Sequence, residues 1–157
     1  MTGFDEGRPL FVRKSESSFT LPNFMRLQLS TALAALKSGM NILSQKENVV
    51  LENMMGHGGF FKVEGVGTRI LAAALNTPVT VMETAGEGGP WGMAILAGFL
   101  AEAKEGQSLG AYLDEVIFAN AKSVTVQPVS AEAEGFARFM ERYMKGLAIE
   151  RAAVESL

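Results

Sequence analysis

The stretch that decides the fold is Met54-Met55-Gly56-His57-Gly58-Gly59-Phe60-Phe61, in which a short apolar run meets a glycine cluster ahead of a helical pattern. The arrangement recurs where Pro78-Val79-Thr80-Val81-Met82 is followed closely by Gly86-Glu87-Gly88-Gly89. Glycine lacks a Cβ atom and accepts positive φ, so a strand can turn sharply there and present bare backbone N–H groups beside a helix N-terminus. Two such turns at one edge of a sheet indicate a surface where a nucleotide can lie against the main chain.

Composition limits the class of protein. The chain has 157 residues, of which 48% are hydrophobic and 20% are charged, a balance typical of one folded domain with a core. The net charge of -3 disfavours a nucleic acid partner. Cysteine is absent and His57 is the one histidine, so we expect neither disulfides nor a metal site. The start of the chain lacks the apolar core of a signal peptide, and no apolar stretch reaches membrane-spanning length, so we expect a cytoplasmic protein with no membrane partner.

A long helix is predicted to begin after Thr20, which is a suitable N-cap, with Pro22 in the first turn where its missing N–H does no harm. Apolar residues then recur at steps of three and four, the spacing of one helix face. That face consists of Met25, Leu29, Ala32, Leu36, Met40 and Leu43. A second set, formed by Phe24, Leu27 and Ala34, predicts that the helix is buried on more than one side.

Strands and helices alternate after this helix. The patterns predict strands at Asn48–Met54 and Pro78–Met82, a helix at Val66–Leu75, and another helix with Pro90 in its first turn. This order is typical of an α/β domain with parallel strands. A stable open sheet usually has about four to six strands, and only two are predicted here. Therefore either the amino-terminal segment supplies further strands, or the chain is part of a larger protein.

Three further elements are predicted in the carboxy-terminal part of the chain. A short helix covers residues 108–118, a strand-like run follows over 123–127, and an amphipathic helix begins near Ala131. The apolar side of this closing helix consists of Phe136, Met140, Tyr143 and Leu147.

These elements, in this order, resemble the carboxy-terminal lobe of the FGGY carbohydrate kinases, which include xylulokinases, ribulokinases and glycerol kinases. The shared pattern is an apolar strand, a Gly-Gly turn, a helix, a Pro-Val strand entry, an acidic residue that looks like Glu83, and a small-residue helix that looks like Gly92–Ala97. The resemblance runs roughly from Pro9 onward. It implies a partial ribonuclease-H-like lobe of the actin-like ATPases at residues 20–157, without the leading strands of that lobe, and an extended arm or linker at residues 1–19.

The resemblance also implies a site for ATP, in which the backbone of the first glycine cluster approaches the adenosine and the loop that follows lies beside it. The implied binding residues are Gly56, His57, Gly58, Gly59, Phe60, Phe61 and Lys62. Two alternatives remain open at this point. The cluster can be a tight turn with no ligand, and His57 can hydrogen-bond either a ribose or phosphate group or its own local backbone.

The second cluster, Gly86–Gly89, departs from the family core and looks like a loop insertion of a xylulokinase-like branch. It can wrap the nucleotide or pack Trp91 against the lobe. We expect the packing role, because a lone tryptophan usually belongs to the core.

Phosphoryl transfer to a sugar needs a carboxylate base, a metal site and a phosphate loop. The family holds these in segments that precede this region, and nothing here matches them, since Asp5 lies in a linker and Asp114 on an exposed helix face. We therefore expect no catalytic residue and no metal ligand here, and an inactive fragment of a kinase that uses ATP and Mg²⁺ on a pentulose or polyol. Its partners are then the nucleotide, the remaining kinase lobe and, in the complete enzyme, the sugar.

Two rival interpretations are a non-catalytic nucleotide-sensing or protein-interaction module of the same fold, and a structural domain that binds no nucleotide. In the fragment interpretation, the absence of the leading strands exposes the edge of Asn48–Met54 and the apolar side of the Phe24–Leu43 helix. Uncovered edges and apolar faces associate, so we expect a homodimer.

Overall fold

The computed structural model describes residues 6, 7 and 9–156. Asp5 and part of the predicted arm lie outside these residues. Within the described part, the α-helices are α1 (Leu21–Lys46), α2 (Val66–Leu75), α3 (Gly89–Glu102), α4 (Leu109–Tyr112) and α5 (Ser130–Ser156), and the strands are β1 (Met54–Gly56), β2 (Val79–Met82) and β3 (Ser123–Val126). Helix α4 continues as a π-helical turn over Leu113–Ile117, which confirms the helix predicted at residues 108–118. The chain forms two compact units. The first holds the described residues up to Leu51, Ile70–Asn76 and the described residues from Pro128; the second holds Glu52–Arg69 and Thr77–Gln127.

The second unit contains a small mixed sheet in the order β1-β2-β3. Strands β1 and β2 are parallel, with Met54 opposite Val79 and Gly56 opposite Val81. The predicted parallel pair is therefore present. Strand β3 runs antiparallel to β2, so that Val126 lies opposite Val79, and it occupies the run that the sequence predicts as strand-like. Three strands in the described residues are still fewer than an open sheet usually has.

The prediction of a strand at Asn48–Met54 is wrong for most of its length. Strand β1 begins only at Met54 and continues into the glycine cluster as far as Gly56. Asn48 instead has a φ of 53°, the left-handed conformation that commonly ends a helix. Beside it, the Val49 N–H donates to the Leu43 carbonyl at 3.1 Å. The first residues of the predicted strand thus form the end of α1.

Helix α1 of the first unit begins as predicted but buries a different face. The Thr20 hydroxyl accepts from the Asn23 N–H at 3.4 Å, which confirms the N-cap. The buried residues of α1 are Ser30, Leu33 and Ala34, whereas the predicted face is mostly exposed, including Met25, Ala32, Leu36 and Leu43. Of the second predicted set, Ala34 is buried and Phe24 and Leu27 are partly buried, so α1 is buried on one side, near this second set. The Ser30 hydroxyl donates to the Arg26 carbonyl at 2.9 Å, so a polar side chain lies in the buried face without an unmet hydrogen bond.

Helix α5 and the stretch that precedes α1 belong to the same first unit. In α5, Phe136 and Met140 are buried, as the pattern predicts. The Ser38 hydroxyl of α1 lies 4.0 Å from the Met144 sulfur of α5. The stretch from Pro9 to Thr20 contains neither helix nor strand. Its Phe11 ring lies 5.3 Å from the Phe19 ring and 5.6 Å from the Phe24 ring, between centroids, which holds the stretch against the start of α1.

Candidate functional site

The two glycine clusters meet at the edge of the sheet in the second unit. Each follows one of the parallel strands β1 and β2, whose carboxyl ends lie at the same edge. The Gly58 N–H donates to the Ala85 carbonyl at 2.6 Å. A Cβ atom built on Gly88 would lie 3.5 Å from the Cα atom of Gly58. The two turns, separated by about thirty residues of sequence, therefore form one surface.

This surface contains a shallow cleft of about 450 Å³, which is open to solvent and has a mostly apolar lining. Four of its lining residues are glycines, so much of its wall is bare main chain. The cleft is lined by His57, Gly58, Gly88, Gly89, Trp91 and Gly92.

The glycines of the first turn and the following helix are required for different reasons. A Cβ atom on Gly56 would lie 2.6 Å from the Phe61 ring, and one on Gly67 would collide with the Phe60 carbonyl, so packing requires glycine at both positions. Gly58 has φ 97° and ψ -176°, a conformation essentially restricted to glycine. A Cβ atom on Gly59 would meet nothing within 4 Å. Neither packing nor a positive φ explains glycine at position 59, where the backbone is open to an approaching molecule.

Two aromatic side chains form a side of the cleft. The rings of His57 and Trp91 are nearly parallel, at an angle of 23°, with centroids 5.8 Å apart. The Phe118 ring lies 5.9 Å from the Trp91 ring. The sequence favours a core position for Trp91, but the side chain is only half-buried, packed on Phe118 while it lines the cleft.

The loop after Gly58 packs against residues of both glycine clusters. A single helical turn spans Gly59–Phe61, closed by the Phe61 N–H, which donates to the Gly58 carbonyl at 3.0 Å. The Phe61 ring packs under Gly56, as its closeness to that residue shows, and the Phe60 carbonyl abuts Gly67. The Lys62 stem crosses Gly86, whose Cβ atom would lie 3.2 Å from the Lys62 Cγ.

Of the seven residues implied by resemblance, His57 and Gly58 line the cleft, Gly59 adjoins Gly58, and the other four hold the turn in place. The lining residues outside that set are Gly88, Gly89, Trp91 and Gly92. The pattern that could have found them is the recurrence of a glycine cluster after the second parallel strand.

The acidic residues do not converge on the cleft. Glu83 follows β2 and its carboxylate lies 3.9 Å from the Lys122 ammonium, with both side chains exposed. Asp114 is also exposed. Among the described residues, no group of three or more histidine, cysteine, aspartate or glutamate side chains could hold a metal ion. In that same part of the chain, no helix combines the length and the apolar character needed to cross a bilayer.

Comparison with known proteins gives one match. The model of the FGGY family of carbohydrate kinases, C-terminal domain, matches residues 1–101. The matched stretch contains both glycine clusters and all of α3 except its last residue. Searches of curated proteins and of solved structures found no match.

Proposed function

Because this chain belongs to the FGGY family of carbohydrate kinases, whose C-terminal domain it carries, we propose that it supplies the adenosine-binding side of an ATP-dependent kinase. The complete enzyme would be cytoplasmic and would transfer the γ-phosphoryl group of ATP to a hydroxyl of a pentulose or polyol. The observation that carries the proposal is the meeting of the two glycine turns around one cleft, with Gly59 left open beside it.

The character of the cleft favours the adenosine over the phosphates. Its volume of about 450 Å³ lies within the range of roughly 300–1,000 Å³ that small-molecule sites occupy. Its lining is mostly apolar and contains neither lysine nor arginine. Lys62 lies on the loop beside the cleft, and its side-chain carbons pass over Gly86. Its ammonium group would pair with a phosphate group of a nucleotide that extends out of the cleft on that side.

The described residues do not fit Mg²⁺, since they contain no suitable cluster of ligands. Glu83 pairs with Lys122 and Asp114 is exposed, so neither is held against the cleft as a base. We therefore propose that the remaining kinase lobe supplies the metal ligands, the carboxylate base and the sugar site, and that these 157 residues alone are inactive.

A partner protein is also favoured by the exposed side of α3. Met93, Leu96 and Leu100 follow at steps of three and four, and Leu100 is 85% exposed. A helix that is apolar around its circumference is normally buried. We propose that the rest of the kinase covers this face and that, in the isolated chain, a second copy does so.

The test of the adenosine site is nuclear magnetic resonance of the chain with adenosine, ATP and GTP. We expect amide shift changes centred on residues 56–62 with adenosine and ATP, and weaker ones with GTP. Gly59→Val should weaken them, because it adds a side chain next to Gly58 where a Cβ atom would meet nothing within 4 Å. The control is Gly39→Val, at another open glycine, in α1. Equal responses to ATP and GTP, or none near Gly58, would count against the proposal.

A further inference from the structure

We infer that Trp91 and His57 form an aromatic wall that receives the flat face of the adenine base. The inference rests on the proposed adenosine site and assigns a binding role to the second glycine cluster and the helix it opens. Both rings line the cleft, and they are nearly parallel, at 23°, with centroids 5.8 Å apart. The two rings stack on one another, so they form a single aromatic pair at one side of a cleft whose other lining residues are glycines.

Trp91 is held firmly enough to act as a fixed platform. It lies in the first turn of α3, a helix of 14 residues, and it packs on the Phe118 ring at 5.9 Å. The first hydrogen bond at the start of this helix runs from the Gly92 N–H to the Gly88 carbonyl, at 3.3 Å. A side chain fixed by a helix and a neighbouring ring loses little further freedom when a ligand stacks on it.

The glycines leave room for a flat group against this wall. Cβ atoms on the lining residues Gly89 and Gly92 would each meet nothing within 4 Å. A planar heteroaromatic base fits such a surface, because stacking on an aromatic ring satisfies its faces while its edges remain available for hydrogen bonds. A phosphate or a free sugar would find no charged or hydroxyl side chain in the lining apart from the His57 ring, and would depend on backbone N–H groups alone.

The sequence contains one tryptophan, so tryptophan emission, excited selectively away from the two tyrosines, reports on Trp91 alone. The chain is titrated with adenosine and, separately, with tripolyphosphate, while calorimetry gives the dissociation constant. We expect adenosine to change the Trp91 emission with the same midpoint as its binding, and tripolyphosphate to leave it unchanged. Trp91→Leu should weaken adenosine binding by about tenfold, a typical cost for the loss of one stacked ring.

Two matched variants separate stacking from general damage to the helix. Phe99→Leu removes another half-buried aromatic of α3, which packs on Tyr112 at 5.5 Å and does not line the cleft. We expect it to bind adenosine within about twofold of the unchanged chain, because it leaves the stacking wall intact. His57→Phe keeps an aromatic ring and should retain binding, whereas His57→Ala should weaken it.

The outcomes distinguish the inference from the function on which it rests. If adenosine binds and shifts the Gly59 amide, but Trp91 emission and the affinity of Trp91→Leu are unchanged, the aromatic wall is refuted and the adenosine site stands. If adenosine does not bind the unchanged chain at all, both are refuted. Should Trp91→Leu fail to fold, the emission of the unchanged chain still decides between these outcomes.

Discussion

The hydroxyl groups of Thr80 and Thr125 lie 2.8 Å apart, across the antiparallel pair of β2 and β3 in which these two residues are directly opposite. The Asn53 side-chain amide donates to the Thr80 hydroxyl at 3.0 Å from the segment before β1. Thr80 is buried. One hydroxyl of β2 therefore bonds both β3 and the segment that leads into β1, in a sheet that has only three or four residues in each strand.

Thr80→Val should lower the free energy of unfolding by about 1 kcal/mol, because it removes the hydrogen bonds of Thr80 with Asn53 and Thr125, whose exposed side chains water can then solvate. Urea unfolding measures the change. The control is Thr125→Val, at an exposed position of β3, which leaves the bond between Thr80 and Asn53 in place and should cost less. Equal losses in the two variants would contradict the central role of Thr80.

Gly58→Ala should destabilise the chain by about 1–3 kcal/mol, since alanine is strained at φ 97° and ψ -176°. A Cβ atom there would meet nothing within 4 Å, so the cost is conformational and not steric. Gly59→Ala is the matched variant one residue away, with the same open space and no positive φ. Thermal unfolding should place it within about 0.5 kcal/mol of the unchanged chain. A loss at position 59 as large as that at 58 would refute the distinction.

Lys37→Met should stabilise the chain at neutral pH, and the gain should shrink as the pH rises. Burial lowers the pKa of Lys37 below 10.5, because desolvation disfavours the charged ammonium. Its penalty is fully present below the folded-state pKa and disappears as the pH rises towards the unfolded value. Denaturant unfolding at pH 7 and near pH 10 measures both. Lys145→Met, at an exposed position, serves as the control. A gain that grows with pH would reverse the predicted sign.

The purified chain should self-associate at tens of micromolar. The exposed side of α3 includes Met93, which is 67% exposed, and Leu100. The predicted strand edge at Asn48–Met54 is not formed, so association should depend on helix faces. In sedimentation equilibrium, replacing Met93 and Leu100 by glutamine should shift the chain towards monomer, whereas Val50→Gln, at an exposed valine outside any helix, should not. A stable, well-folded monomer of the unchanged chain would contradict the prediction.

No ATP-dependent phosphorylation of xylulose, ribulose or glycerol should be detectable with the chain alone. The physical reason is the lack of converging carboxylates among the described residues. A coupled assay for ADP release, with a complete kinase as positive control, measures this. Turnover that disappears in Glu83→Gln or Asp114→Asn would overturn the expectation.

Local patterns were enough to predict much of the fold. Helix α2 has the predicted bounds, Val66–Leu75, and β2 begins one residue after the expected Pro78. Thr20 caps α1 as its residue type predicts. In these cases a short-range cause, such as a cap, a proline or an apolar period, determines the structure without help from distant residues.

The failures have tertiary or conformational causes. The period of apolar residues in α1 indicated the wrong face, since the neighbours of the helix decide which side is buried and the backbone bond of Ser30 makes a polar residue acceptable there. The strand predicted at Asn48–Met54 begins too early because Asn48 adopts a positive φ that ends α1, a position at which asparagine is common. The contact of His57 with Trp91 depends on how two turns meet, so no local pattern contains it.

The separate demands on the glycines of the first turn determine what a comparison of related sequences can reveal. Gly56 is required by packing and Gly58 by backbone conformation, so a lineage that ceases to bind nucleotide retains both for the sake of its fold. Gly59 is under neither demand. In such a lineage we expect substitutions at position 59 before substitutions at positions 56 and 58. Under the proposed function, a glycine kept at 59 would reflect the ligand, whereas glycines at 56 and 58 reflect the fold.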